Sequence, residues 1–510
     1  MNLQCTIAGR LPAILNQIAS NCLLTIALIA TPSASAFAAE PPAPFGPLPS
    51  KEQLKWHQLE YYGFLHFTVN TFTDRQWGAG DESPAVFTPS ELDVSQWTRV
   101  AKSAGMKGLI LTTKHHDGFC LWPSKYTEHS IKHSPYRDGK GDIVRELSKA
   151  CEEAGLKFGV YLSPWDRNHA DYGKPEYIDY YRNQLRELLT NYGDIAELWF
   201  DGANGGSGYY GGANEERRID RESYYKWPET NALALKLQPQ VVIFSDAGPG
   251  CRWVGNETGH GSSTNWATMR LDGMYPGGTY GDRLTHGDRD GTHWVPSEVD
   301  VSIRPSWFYL KQEDDKVKTV EELLEIYYSS IGQGSNLLLN IPPDRRGLIH
   351  EIDEQRLTKF HEVIQLTFDD DLARDKRATA SNTRGNDEAF GPQQITDGDR
   401  ETYWATDDEV TEAELTVELG KAIPFDRIRM QEFISLGQRI EKFSIDVRVA
   451  GKWQEVGSGN TIGVRRILRL PLVTGDAVRL RIESSRACPT ISTLEVYRSP
   501  PNLGTTDAGN

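Results

Sequence analysis

Glu197-Leu198-Trp199-Phe200-Asp201-Gly202-Ala203-Asn204 is a short apolar run that ends on a carboxylate and then breaks into a glycine-rich loop. Such a run has the form of a barrel strand carrying one acid out of a dry core to its carboxyl end, where parallel α/β enzymes place their chemistry. An isolated Asp-Gly would instead read as a turn closing an ordinary strand, since both residues are common in turns. The surrounding chain decides for the first reading, with Asp201 as a nucleophile.

Working outward, the same unit recurs on both sides. Residues 63–67 and 108–114 read as strands, and Thr88-Pro89-Ser90-Glu91 between them reads as a capping box opening a helix to about Ala104. A helix from Asp142 puts Ile143, Val144, Leu147, Cys151 and Ala154 on one face and stops at Gly155. Strand 158–163, helix 175–192, the Asp201 strand, a helix ending near Leu237 and strand 241–245 follow. Residues 259–306 are poor in regular signal, rich in Gly and Asp, and read as loops over an active-site mouth. A helix at 319–332, a strand at 336–341 and a helix at 352–368 complete the region. Short apolar strands alternating with amphipathic helices predict a (β/α)8-like barrel over residues 50–368.

The expected strand ends carry the chemistry. His66 lies in the first strand, and the second ends Thr113-Lys114-His115-His116-Asp117-Gly118-Phe119. The third ends Tyr161-Leu162-Ser163-Pro164-Trp165-Asp166, and the fifth runs into Arg252-Trp253-Val254-Gly255-Asn256-Glu257. A metal centre is disfavoured. Neighbouring His115 and His116 cannot both face into a barrel while they belong to a strand, and no His-x-His or Cys cluster completes a zinc set.

Composition narrows the partners. A net charge of -16 over 510 residues disfavours nucleic acid and anionic membrane, both of which reward clustered Lys and Arg. Arg10 is the lone charge before Glu40, residues 22–30 are apolar, and Ala34-Ser35-Ala36 and Ala36-Phe37-Ala38 are small-x-small cleavage patterns. Residues 1–38 therefore read as a signal peptide, and the protein as exported, periplasmic or secreted, with no membrane association after its removal. Cys120, Cys151, Cys251 and Cys488 are too far apart for a disulfide framework or a zinc site.

After Asp371 helical periodicity gives way to alternating segments at 414–419, 427–432, 443–449, 467–472 and 477–483, which read as an antiparallel β-sandwich over 371–499. Residues 500–510 read as a disordered tail. The block Thr396-Asp397-Gly398-Asp399-Arg400-Glu401-Thr402-Tyr403-Trp404-Ala405-Thr406 resembles the discoidin-type (coagulation factor 5/8 type C) module. That resemblance implies a sugar-binding-like module with a structural calcium ion near Asp397-Gly398-Asp399. Trp404 reads as core.

From Trp56 to about Phe368 the chain resembles glycoside hydrolase family 29, the retaining α-L-fucosidases, and within it the subgroup acting on α-1,3- and α-1,4-linked fucose of branched glycans. The resemblance rests on Phe64-Leu65-His66-Phe67, the segments around His115, Tyr161 and Glu257 quoted above, Trp199-Phe200-Asp201-Gly202, and residues 336–344. It implies Asp201 as nucleophile and Glu257 as general acid/base, with His66, His115, His116, Tyr161 and Trp199 lining a fucose pocket. Trp122, Asp166 and Trp307 match neighbouring positions. It also implies fucosylated oligosaccharides or glycoproteins as partners and no catalytic cofactor. The loop 205–221 is longer and richer in Gly and Tyr than the pattern.

Retaining glycoside hydrolysis needs two carboxyls, one ionised and one protonated. Glu298, in Pro296-Ser297-Glu298-Val299-Asp300, rivals Glu257 as the acid. Trp294, Glu298 and Asp300 are also candidates to contact a branch galactose. The competing class is a non-catalytic fucose- or galactose-binding protein on a barrel scaffold, which has no need of two opposed acids.

Overall fold

The computed structural model describes residues 39–501. The signal peptide read at 1–38 and residues 502–510 of the expected tail lie outside the described residues. Eight parallel strands close into a barrel in chain order: β1 (Tyr61–Leu65), β2 (Gly108–Lys114), β3 (Lys157–Leu162), β4 (Glu197–Trp199), β5 (Val242–Ser245), β6 (Cys251–Trp253), β7 (Ser297–Ser302) and β8 (Asn336–Asn340), which pairs back onto β1. The predicted barrel is present.

Helix α1 (Lys51–His57) precedes β1, and six helices follow strands on the outside: α2 (Val94–Ser103), α3 (Ile143–Ala154), α4 (Glu176–Asn191), α5 (Trp227–Leu237), α6 (Val320–Ser329) and α7 (Glu351–Phe368). Helix α3 is capped as the sequence indicated, with Asp142 accepting from Arg145 N–H and Gly155 left-handed at its end. Helix α2 starts later than expected. Its cap is Asp93, whose Oδ1 accepts from Ser95 N–H at 2.8 Å, while Glu91 N–H is drawn to the Arg346 carbonyl and kept outside the helix. The Thr88 capping box does not form.

Two barrel strands lie where loops were expected. β6 follows β5 after a tight connection without a helix, and β7 lies inside the stretch 259–306. β7 reads Ser297-Glu298-Val299-Asp300-Val301-Ser302, so Glu298 and Asp300 alternate with valines and face the barrel axis rather than solvent. That alternation marks a strand, but with the polarity of its faces exchanged.

The period of two decides what reaches the carboxyl end. On β4 the inward positions are Glu197, Trp199 and, just past the strand, Asp201; on β7 they are Glu298 and Asp300. Tyr62, Phe64, Ile110, Tyr161, Trp199, Val242, Phe244, Cys251 and Leu338 fill the interior, with Trp56 of α1 packed among them. Trp199 stacks on Phe244 at 3.9 Å between ring centres, so the strand leading to Asp201 is fixed by a filled barrel.

The C-terminal region is an antiparallel sheet domain: β9 (Ala378–Ala380), β10 (Trp404–Ala405), β11 (Ala413–Glu432), β12 (Ile440–Val449), β13 (Lys452–Gly459), β14 (Arg466–Ser485) and β15 (Thr490–Tyr497). The segments expected at 414–419 and 427–432 are two halves of β11, with a register break between Glu418 and Ile423 where it pairs with β14. Residues from both halves share one core with β12, β14 and β15. Trp404 is in that core, fully buried, and donates to the Asn382 carbonyl at 3.0 Å.

The expected calcium loop is otherwise engaged. Asp397 accepts from Asp399 N–H and Thr402 O–H, Asp399 accepts from Glu401 N–H, and Arg374 donates to the Asp397 carbonyl at 2.8 Å. The Arg374 guanidinium also fills the space a Gly398 side chain would need. A fixed cation and an internally satisfied loop do not fit a calcium site.

Candidate active site

One pocket opens at the carboxyl ends of the barrel strands, with roughly 480 Å³ of space lined by Phe64, His66, Gln76, Trp77, His115, His116, Tyr161, Trp199, Asp201, Ala203, Glu257, Asp300 and Trp307. Three carboxyls line it: Asp300, which accepts from Trp253 Nε1 at 2.8 Å, and Asp201 and Glu257, which stand in unlike settings. Asp201 accepts from Ala203 N–H at 2.6 Å and from the Tyr161 hydroxyl at 2.9 Å, and His116 Nε2 stands 3.7 Å away. Two donors thus converge on Asp201, one on each carboxyl oxygen. Glu257 accepts a single bond, from Trp307 Nε1 at 3.1 Å. Burial raises its pKa above the usual carboxylate range; the Trp307 bond works against this and the charge of Asp201 adds to it. The arrangement provides one base and one acid in the same pocket.

The histidines are held neutral, and hydrogen bonds fix the tautomers of His66 and His116. Asn340 donates its amide to Ser302 Oγ at 2.9 Å and to the Trp307 carbonyl at 2.8 Å, which turns its oxygen toward His66. His66 Nδ1–H therefore donates to Asn340, at 2.8 Å, and Nε2 is left as an acceptor. Ser163 donates to the Trp165 carbonyl and accepts from His116 Nδ1–H at 2.7 Å, which leaves His116 Nε2 to accept as well. Burial pushes His66 down to about 3, against the pull of the Asn340 bond. Burial also lowers His115, helped by His116, and lowers His116 despite the charge of Asp201. Neutral rings with open lone pairs suit sugar hydroxyls.

The pair His115 and His116 shows how the local chain departs from a regular strand. Register slips between Thr112 and Lys114 where β2 pairs with β3, a bulge that re-aims the side chains beyond it. Lys114 points outward, 3.1 Å from Asp166 and among Tyr177, Tyr180 and Tyr181 of α4. Both histidines lie past the strand, so the alternation rule no longer separates them, and both line the pocket.

Of the residues singled out from sequence, His66, His115, His116, Tyr161, Trp199, Asp201, Glu257, Asp300 and Trp307 meet in this pocket. Four others do not. Asp166 is buried outside the barrel wall on Lys114, Tyr180 and the backbone of Asn168 and His169. Trp122 is buried beside α4, donating to Glu187 at 2.9 Å. Trp294 precedes β7 and so lies at the foot of the barrel, where its Nε1 donates to His57 at 3.2 Å. Glu298 is one inward step below Asp300, bonded to Tyr62 and, at 2.9 Å, to Trp199. Burial and neighbouring Glu197 hold Glu298 protonated, but under the pocket floor, where it cannot reach a leaving oxygen. Glu197, Cys251 and Glu298 are the one group of potential metal ligands that converges among the described residues.

Gln76 and Trp77 went unnoticed in the sequence. Trp77 is half exposed at the rim, its ring edge-on to His116 and Trp165 at 5.5 and 5.8 Å. Its exposure beside the acids emerges only in the fold, and the sequence alone did not mark it out. The loop 205–221 folds into a small hairpin, Gly206–Gly208 paired with Glu215–Arg217, near the Asp201 loop.

Acid should destabilise the protein through its buried histidines. His57, at the foot of the barrel, is pushed down to about 3 by burial and then by the charge of Arg465. Its folded pKa lies below the unfolded one, so the unfolded chain binds more protons below about 6.5 and stability falls as pH falls from there toward 3. Between pH 7 and 5 that one group costs about 2 kcal/mol. Chemical unfolding at both pH values should show a loss smaller by about that amount in His57→Gln than in the wild type; equal losses would remove His57 from the account.

The chain also has relatives of described families. Residues 48–366 match the alpha-L-fucosidase family model, and residues 377–494 match the F5/8 type C domain. Alpha-L-fucosidase 1 of Arabidopsis thaliana is 42% identical over 89% of this chain and 88% of its own length. The crystal structure of a glycoside hydrolase 29 family member from an unknown rumen bacterium is 45% identical, with a TM-score of 0.81 over 91% of this chain and 79% of that one. A Ruminococcus gnavus family 29 fucosidase solved in complex with fucose is 32% identical, with a TM-score of 0.82 over 92% of this chain and 99% of that one. A barrel with two unlike carboxyls among neutral histidines, matched over most of its length by these proteins, belongs to the α-L-fucosidases of glycoside hydrolase family 29 and carries a C-terminal F5/8 type C module.

Proposed function

We propose that this protein is an exported, retaining exo-α-L-fucosidase that removes α-1,3- and α-1,4-linked fucose from branched oligosaccharides or glycoproteins. The observation that carries the reading is the pocket at the carboxyl end of the barrel, with Asp201 among donors and Glu257 in a partly apolar setting. In the first step an Asp201 oxygen attacks the anomeric carbon while Glu257 gives its proton to the departing glycosidic oxygen, leaving a fucosyl ester on Asp201. In the second, Glu257 takes a proton from water, the hydroxide attacks the same carbon, and Asp201 leaves as carboxylate. His66 and His116 accept from sugar hydroxyls through Nε2. Phe64, Trp199 and Trp307 offer an apolar wall to the methyl group of a 6-deoxy sugar. Two acids in such unlike settings would be idle in a pure binder.

The choice of branched glycans rests on the resemblance and on the chain around the pocket mouth. Of the residues named for a second sugar, only Asp300 reaches the pocket. The remaining contacts are assigned to the rim instead: Trp77, the hairpin 206–217, and the segment around Gly277, which Asp246 ties beside Gly202 by a 2.5 Å bond. Binding a galactose there contributes to the transition state, so its loss should lower turnover as well as affinity. Specificity constants on a Lewis-type trisaccharide should exceed those on the disaccharide lacking galactose by about tenfold or more, the equivalent of about 1.4 kcal/mol. Release of free fucose tests the activity itself, and a ratio near one sinks the two-sugar reading. Simple aryl fucosides and linear α-1,2 linkages should be poor substrates.

A further inference from the structure

Glu257 lies on a loop rather than a strand, so its position depends on what holds the chain after it. The barrel supplies part of the support. Gly261 N–H donates to the Ser329 carbonyl at 2.8 Å, Ser329 Oγ donates to the Gly259 carbonyl at 2.9 Å, and Asn256 donates to the His260 carbonyl at 2.9 Å. Arg252, Ser297 and Ser335 of the barrel also hold the Asn265 side chain, and the C-terminal module adds bonds of its own. Gln438 donates to the Asn265 carbonyl and accepts from Ala267 N–H, both at 2.8 Å, pairing with the loop as a neighbouring strand would. Thr461 Oγ1 accepts from Asn265 N–H at 2.9 Å, Asn460 donates to Thr264 Oγ1 at 2.7 Å, and Arg466 donates to the Ser263 carbonyl. Gln438, Thr461 and Arg466 are all buried. The module also grips α6, the helix whose end carries Ser329, through Arg469 on Glu325 and Arg427 on Tyr328.

We propose that the F5/8 type C module positions the acid/base: Gln438 and Thr461 fix the loop 258–267 and thereby set where the Glu257 carboxyl stands. This inference rests on Glu257 being the acid/base. It gives the module a part in turnover that requires no sugar in the module itself. Backbone amides and carbonyls held by buried side chains lose their partners outright when those side chains are removed, so the loop gains freedom instead of finding water in place. Misplacing an acid by about 1 Å is enough to cost a large factor in rate.

The test uses the full chain with Gln438→Met and Thr461→Val, which keep side-chain volume and delete the bonds. Gln438→Met should lower kcat on a Lewis-type trisaccharide about tenfold or more and leave KM within about twofold. With α-L-fucosyl fluoride, whose leaving group needs no proton, kcat/KM should change less than about twofold. Thr461→Val should show the same split more weakly, and provides the readout if Gln438→Met does not fold. Equal losses on both substrates, or wild-type kinetics in a variant with an unchanged melting temperature, overturn the proposal. Glu257→Ala is assayed alongside. If it shows the leaving-group split and the module variants do not, the clamp alone is wrong; if it shows none, the acid/base assignment has failed and the clamp with it.

Discussion

Replacing Asp201 by glycine is expected to lower turnover roughly 10³- to 10⁵-fold while the protein stays folded and still binds fucose. The size follows from its role: without the carboxylate there is no fucosyl ester, and no other side chain in the pocket attacks from the same side. The fold should survive because the Asp201 side chain is about a quarter exposed, so water can replace it as acceptor for Tyr161 and Ala203 N–H. The variant offers a second, stereochemical readout. Azide entering the space left by the carboxylate and displacing fluoride from α-L-fucosyl fluoride gives β-fucosyl azide, the inverted product. In the wild type, NMR should show α-fucose as the first product, as double displacement requires. Activity above a few per cent, or an initial β anomer from the wild type, would take Asp201 out of the role.

Legibility in the sequence divides along physical lines. The Asp201 strand was legible because an apolar run ends there on a carboxylate before a glycine-rich loop, and the fold turns Glu197, Trp199 and Asp201 inward. β7 was not, because its inward side chains are acids bonded to tyrosine and tryptophan from other strands, and only the closed barrel supplies those partners. The Thr88 capping box failed for a similar reason: Glu91 N–H donates to the Arg346 carbonyl, a tertiary bond that keeps Glu91 out of the helix a local rule would give it. Motifs also blur which side of the wall a residue occupies. Lys114-His115-His116 looks continuous, but the bulge sends Lys114 with Asp166 to the outside and both histidines to the pocket. Trp122 and Asp166 belong to the surroundings of the site through α4, and support the wall rather than touch its contents.

Glu257→Ala should impair the enzyme in proportion to how badly the leaving group needs a proton. On branched glycans, where a sugar alkoxide must depart, kcat/KM should fall by about 10² to 10⁴; on α-L-fucosyl fluoride the first step should stay within about tenfold of wild type. The same residue serves as base in the second step, so the fluoride reaction should stall with the fucosyl ester formed. Azide needs no base and should restart it, giving α-fucosyl azide, because it attacks an ester that has already inverted once. The two azide products thus separate the two carboxylates: β from the Asp201 variant, α from the Glu257 variant. The pH dependence gives an independent check. Burial and the Asp201 charge raise Glu257, the Trp307 bond holding it partly down, so the protonated form required for the first step persists above the usual carboxylate range and is lost as pH rises through its shifted pKa. That loss is the basic limb of kcat/KM on glycans, and it should vanish in Glu257→Ala. Trp307→Phe removes the bond that favours the ionised form and should move the limb upward in the otherwise intact enzyme. A limb that moves downward, or Glu298→Gln reproducing the leaving-group pattern in place of Glu257→Ala, would transfer the acid to another residue.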